Sequence, residues 1–266
     1  MNWKSIGPRA LLSIALAAML LFCKHPSPAK TLTNSDINGI KGGQNKGVPT
    51  YKGKDPAGVP SVPGATSGQG AVVVKKHLPF KEWEEEYSRY FKEHYQDSSL
   101  VLKPKIIVLH YSGTSNFTQL WWTFIKGGQY EGSPGHLSVH YAIDRDGTIY
   151  ELMPPNRRAR GTYGVNHVAI SIDIIGNGEN DILRNKNQMK VCFALVRWLS
   201  KTFKIPAENV YAHTEVARGK EVVKEYTDFF DRQNPDHYPP GSEGRGPGKA
   251  YMFKLRYYLN EKSSPP

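Results

Sequence analysis

Two histidines stand where a buried strand should give way to a turn. The first follows Ile106-Ile107-Val108-Leu109 and precedes Tyr111-Ser112-Gly113-Thr114. Four consecutive apolar residues, the first three β-branched, predict a buried strand over Lys105–His110. The second closes Val210-Tyr211-Ala212-His213, a short predicted strand. A histidine at the carboxyl end of a core strand has a rigid base and an open side. That suits a metal ligand or a catalytic base as well as a plain structural role. Two imidazoles with a carboxylate or thiolate are how zinc is held at a catalytic site, with water in the open position. Asp173 adds a carboxylate inside the apolar run Val168–Ile175. A buried carboxylate costs free energy unless it is partnered, so Asp173 is a candidate for chemistry or for a buried hydrogen bond.

The elements that must position these groups follow from periodicity. Phe80, Trp83, Tyr87, Tyr90, Phe91 and His94 fall at helical spacing with Glu84, Glu85 and Glu86 between them, which predicts an amphipathic helix with an aromatic core stripe. Phe117–Lys126 predicts a helix capped by Ser115 or Asn116 and stopped by Gly127-Gly128. Leu137–Asp144 alternates as a strand, Asp144-Arg145-Asp146-Gly147 is a hairpin turn, and Thr148–Met153 is the return strand. Asn187–Phe203 is the clearest helix, with Cys192, Leu195, Val196, Leu199 and Phe203 on one face. Cys192 in that stripe reads as a small core residue. A last helix is predicted from about Lys249 to Asn260. Strands alternating with helices around one hairpin give an α/β fold, a single domain with a mixed central β-sheet flanked by helices.

Charge is unevenly placed. The 266-residue chain carries a net +11, of which Lys24 to Lys76, with eight lysines and two aspartates, holds +6. Residues from His77 onward are near neutral. Residues 24–76 also contain nine glycines and six prolines without periodicity, the composition of a disordered basic tether. Ahead of it, Lys4 and Arg9 precede the apolar run Ala10–Phe22, too short for a comfortable span and suited to a signal peptide over residues 1–23. Cys23 follows at once. Leu20-Leu21-Phe22-Cys23 resembles a bacterial lipoprotein signal, in which the chain is cleaved before a cysteine that is then lipidated. Phe22 departs from the small residue expected there, and an ordinary signal peptide or an uncleaved anchor are the other readings. Two cysteines suggest no disulfide framework. Residues 77–262 are left for the domain. A nucleic-acid partner is not expected, and the domain is expected to be a monomer.

Four segments resemble the zinc-dependent N-acetylmuramoyl-L-alanine amidases of the type 2 family, relatives of the peptidoglycan recognition proteins. They are Ile107-Val108-Leu109-His110-Tyr111, the hairpin Ser138–Tyr150, Gly164-Val165-Asn166-His167 running into Val168–Asp173, and Ala212-His213-Thr214-Glu215-Val216-Ala217. They occur in the family's order over roughly Lys105–Asn260. The resemblance implies a hydrolase that cleaves the amide between N-acetylmuramic acid and the L-alanine of the stem peptide by a zinc-activated water. It implies Zn2+ held by His110 and His213, and Asp173 where the family commonly has a glutamate that assists proton transfer. His140 is expected to be structural or to support the site, and His167 to be a loop residue. Peptidoglycan would be the partner, and the cell envelope, periplasmic or outer-membrane-anchored through Cys23, the location.

The departures are as informative. The family's Lys-x-Asp-Pro-Gly places its third zinc ligand at Gly246 here and its lysine at Gly244, and neither glycine can do that chemistry. Gly161 stands where many relatives carry a histidine. Asp236, in the proline-flanked stretch before Gly246, is the expected substitute ligand, followed by His237 and Asp228. The alternative reading is a zinc-free peptidoglycan-binding module on the same fold, and a zinc amide hydrolase for another peptide is the third.

Overall fold

Ile106–Tyr111 forms strand β2 and lies inside the sheet, with neighbours on both sides. The computed structural model describes residues 72–126, 136–217 and 245–261, all within the unit Thr50–Pro266. The other described strands are β1 (Val73–Lys75), β3 (Tyr141–Ile143), β4 (Ile149–Glu151), β5 (Ala169–Ile174) and β6 (Val210–Ala212). They assemble in the order β1-β4-β3-β5-β2-β6. β3, β5, β2 and β6 are mutually parallel, β4 is antiparallel to β3, and β1 is parallel to β4. This is the mixed sheet expected from the sequence, and it is flanked by helices.

The helices are α1 (Glu84–Tyr95), α2 (Phe117–Ile125), α3 (Glu179–Arg184), α4 (Lys186–Phe203), α5 (His213–Ala217) and α6 (Lys249–Asn260). Two-residue periodicity sends the apolar strand residues to two different cores. Ile107, Leu109, Ile170, Ile172 and Ile174 pack with Leu195, Val196 and Leu199 of α4 and Tyr251, Met252 and Leu255 of α6. Ile106, Val108 and Ala169 belong to a smaller cluster with Val165, Tyr211 and Val216. The aromatic stripe of α1 forms a third cluster with Phe117, Leu120 and Phe124 of α2. Burial on both faces is why β2 and β5 read as continuous apolar runs. His110 and Asp173 follow the even-numbered residues of β2 and the odd-numbered residues of β5, away from the α4–α6 core.

Local signals explain several boundaries. The Asn116 side chain accepts from Gln119 N–H at 3.0 Å and opens α2. Asn185 does the same for α4, accepting from Gln188 N–H at 3.1 Å. Gln188 then donates to Ile143 O and Ile175 O, both at 2.9 Å, fastening α4 to the ends of β3 and β5. Cys192 is fully buried in this helix face, as its place in the stripe implied.

Some expectations change. The sheet begins at Val73, so the last residues of the stretch read as tether are an edge strand. β1 has three residues, is mostly exposed, and is defined by its pairing to β4, which leaves no periodicity to detect. The strand expected over Leu137–Asp144 is regular only at Tyr141–Ile143, and α1 begins at Glu84 with Phe80 and Trp83 ahead of it. His213 is the first residue of α5 and not the last of a strand. The short α3 carries no periodicity signal of its own.

His140 is a structural histidine. Its Nδ1 accepts from Ser171 N–H at 3.0 Å and its Nε2 donates to Arg157 O at 2.8 Å, which fixes one neutral tautomer between β3 and β5. Burial pushes its pKa down to about 4, against an ordinary 6.5. Above pH 6.5 the ring is neutral whether the chain is folded or unfolded. As pH falls from there toward 4 the unfolded chain takes up a proton that the folded one refuses, so stability drops by about 1.4 kcal/mol per pH unit for this group. His140→Gln cannot titrate. It should cost about 1–3 kcal/mol at neutral pH through the lost bonds. That gap to wild type should narrow toward about pH 4.5. Urea unfolding of both proteins across this range checks it, and a gap that stays constant with pH would contradict it.

Candidate functional site

Register assembles the site. On one side of β2, His110 is paired with Asp173 of β5, and on the other Leu109 is paired with Ala212 of β6. His213 follows Ala212, so His110 stands between Asp173 and His213. Neighbouring strands lie about 4.8 Å apart, close enough for side chains on one face to meet. All three residues are at the carboxyl ends of parallel strands, where open α/β sheets bind their ligands.

The two imidazoles converge. His110 Nδ1 and His213 Nδ1 are 3.1 Å apart, with ring centroids at 4.5 Å. Two nitrogens at 2.0–2.1 Å from one tetrahedral zinc are separated by about 3.3 Å, so the pair fits two corners of such a site. Burial, and then the neighbouring His213, hold the His110 pKa well below its ordinary value. The ring is therefore neutral and has a lone pair to give. Among the described residues no third His, Cys, Asp or Glu joins the two.

His213 is delivered by a braced turn. Glu215 reaches back to accept from Ala212 N–H at 2.8 Å, the half of a capping box that satisfies a helix start. The same carboxylate forms a two-pronged ion pair with Arg256 of α6 at 3.0 and 2.6 Å, and Arg256 also donates to Val210 O at 2.8 Å. The last helix thus fixes where β6 ends.

Asp173 is 7% exposed and its Oδ1 has no hydrogen-bond partner among the described residues. Burial raises its pKa to about 7, with the Arg245 charge pulling the other way. A carboxyl held near neutrality by its surroundings can both take and return a proton at ordinary pH. Arg245 is a residue the sequence did not single out. Its carbonyl accepts from Tyr111 N–H at 2.9 Å, and its Nη1 donates to Ser112 O at 3.1 Å, over the left-handed turn at Gly113. A lone arginine between two glycines, Gly244 and Gly246, carries no spacing or periodicity that would mark it.

Thr162 is the second missed residue. Its hydroxyl lies 3.0 Å from His110 Nε2, the nitrogen that faces away from His213. Only its place in the segment leading to β5 could have suggested it. His167, in the same segment, packs on the Tyr95 ring at 4.6 Å.

Gly246 has a specific position. A Cβ there would come within 2.7 Å of the backbone nitrogens of both His213 and Thr214. The residue aligned with the family's third ligand is pressed against the first turn of α5, and a carboxylate would displace that turn. Gly161 is similarly confined, since a Cβ would meet Ser171 Oγ at 2.8 Å and Ser138 O at 3.0 Å. That explains glycine where relatives carry histidine. Asp236, His237, Asp228, Gly244 and Cys23 lie outside the described residues.

Comparison with known proteins gives the following similarities. Among solved structures the chain is similar to the N-acetylmuramoyl-L-alanine amidase LysC from Clostridium intestinale URNW, at 20% identity and a TM-score of 0.40 over 57% of this chain and 95% of that one. It is also similar to the Staphylococcus aureus hydrolase AmiA in complex with its ligand, at 14% identity and a TM-score of 0.41 over 71% of this chain and 83% of that one. Similarity at this level carries no assignment by itself. No curated protein matches the chain significantly. Residues 101–225, which include His110, Asp173 and His213, match a family model described as N-acetylmuramoyl-L-alanine amidase. Over that segment, slightly under half of its length, the chain is similar to the N-acetylmuramoyl-L-alanine amidase family.

Proposed function

We propose that this domain is a zinc-dependent hydrolase of the amide between N-acetylmuramic acid and the L-alanine of the stem peptide. The observation that carries the metal part is the 3.1 Å approach of two imidazole nitrogens, one from β2 and one from the start of α5. His110 Nδ1 and His213 Nδ1 would hold the ion. Zinc bound there supplies Lewis acidity for the attacking water and the scissile carbonyl. Asp173 takes the proton that the water gives up and returns it to the alanine nitrogen as the amide breaks. Its Oδ1, without a partner among the described residues, and its place beside His110 support that role.

His110→Ala and His213→Ala should each lose zinc and hydrolysis together. Asp173→Asn should bind zinc as the wild type does while turnover falls by about 100-fold or more. Elemental analysis and peptide release from muropeptides measure the two quantities. Hydrolysis by zinc-free, chelator-treated protein would refute the reading.

Catalytic zinc normally has three protein ligands. Gly246 has no side chain to offer and its fit against α5 supports a third ligand elsewhere, for which we propose Asp236, between Pro235 and Pro239 in the sequence leading to Gly246. Asp236→Ala should weaken zinc binding and turnover together. Unchanged zinc affinity in an active enzyme would move the assignment to His237. A wild-type domain that retains peptidoglycan but takes up no zinc would favour the binding-module reading, which the closed Gly246 position supports.

The signal-like residues 1–23 and the basic tether support an envelope protein anchored at Cys23, acting as a monomer on the wall. Two or more acyl chains would anchor it stably, whereas one alone binds marginally. Mass spectrometry of the mature N-terminus should find acylated Cys23 as the first residue. An unmodified terminus beyond it rules the anchor out.

A further inference from the structure

The pair of histidines can serve a metal only if each presents a lone pair, and for His110 the chain supplies a device that secures this. A neutral imidazole carries one N–H. If Nδ1 is to donate its lone pair, the proton must sit on Nε2, and a buried N–H without an acceptor costs about 1–3 kcal/mol. His110 Nε2 is met by Thr162 Oγ1 at 3.0 Å, and Thr162 is 1% exposed.

Thr162 is itself held. Asn166 Oδ1 accepts from Gly161 N–H at 3.0 Å and from Thr162 N–H at 2.7 Å, closing the loop that carries the hydroxyl. Asn166 Nδ2 donates to the Tyr90 hydroxyl at 3.1 Å, and Asn166 N–H donates to the Tyr95 hydroxyl at 3.3 Å. Both tyrosines belong to α1, and the Arg160 guanidinium lies 3.9 Å over the Tyr90 ring. A buried polar chain therefore runs from α1 through Asn166 and Thr162 to His110. Networks of this kind persist when each member is satisfied.

We propose that Thr162 is a positioning residue for the metal centre. Its hydroxyl accepts from His110 Nε2–H, fixes that tautomer and ring orientation, and leaves Nδ1 free to donate. Tyr90 and Tyr95 act through Asn166 to hold the hydroxyl in place. The aromatic stripe of α1 is then a support for the site as well as core. This inference rests on the zinc reading above. Partners of this kind around a ligating histidine are worth roughly 10–100-fold in metal affinity.

The test is zinc affinity of the metal-free full chain, measured by competition with a chromogenic chelator, for wild type, Thr162→Val and Thr162→Ser. Valine keeps the shape and removes the hydroxyl, and serine keeps the hydroxyl. We expect Thr162→Val to bind zinc roughly 10–100-fold more weakly and Thr162→Ser to stay close to wild type. Imidazole 15N spectra of the zinc-loaded protein should show a proton on His110 Nε2. It should be protected from exchange in wild type and Thr162→Ser and exposed in Thr162→Val. A loss of packing alone would not be rescued by serine and would not move that proton. Tyr90→Phe, which leaves residue 162 untouched, should weaken zinc in the same direction by a smaller factor and stands in if Thr162→Val does not fold. A wild type that binds zinc, with Thr162→Val or Tyr90→Phe binding it equally well, overturns the role of Thr162 and leaves the zinc reading standing. A wild type that binds no zinc overturns both.

Discussion

The site depends on one constraint, the parallel pairing of β2 between β5 and β6. Six consecutive register pairs hold Ile106–Tyr111 against Ala169–Ile174, and three hold Ile107–Leu109 against Val210–Ala212. A one-residue slip on either side would send Asp173 or the β6 end to the opposite face. Such a slip is opposed by the core, because Ile170, Ile172 and Ile174 would exchange places with Ser171 and Asp173 beneath α4 and α6. Stability and chemistry are therefore set by the same alternation. Moving a functional group by one position would bury a carboxylate among isoleucines.

That alternation also explains what could be read from the sequence. β2, β5, α4 and α6 are long, regular and heavily buried, so their periodicity is unmixed, and His110 and Asp173 came with them. β1, β3 and β4 have three residues each; the β3–β4 hairpin is local and legible at its turn, whereas the pairings of β1 with β4 and of β3 with β5 join distant parts of the chain that no local pattern encodes. The His213 turn is an intermediate case. Its Glu215 brace lies three residues on and is visible as a capping pattern, but its Arg256 partner lies 41 residues away. Thr162 and Arg245 were hidden for a related reason. Each acts through contacts across the fold, 52 residues from His110 for Thr162 and 133 from Ser112 for Arg245. Residue type at one position carries no trace of such a contact.

The supports of the two histidines differ in kind. His110 sits in a strand with neighbours on both sides and a buried hydroxyl at its far nitrogen, so few rotamers are open to it. His213 heads a five-residue helix whose position depends on an ion pair to α6 and on the close approach of Gly246. The Glu215–Arg256 pair is partly exposed, which limits its strength at high salt. The Gly246 contact is steric and indifferent to salt. Packing thus keeps the α5 turn in place where electrostatics weakens, with the missing side chain as the reason the backbone can come so close.

The hydrogen bonds that Asn166 donates to the Tyr90 and Tyr95 hydroxyls bear on where this catalytic unit begins. The family match starts at residue 101, after α1 has ended. A fragment cut at that boundary would retain both histidines and Asp173, yet it would lose the two hydroxyls that hold Asn166 and the aromatic layer against α2. It would also lose β1, leaving β4 as a bare sheet edge open to pairing with other chains. A piece that keeps these contacts therefore starts near Val73, some thirty residues upstream of where sequence similarity draws the line.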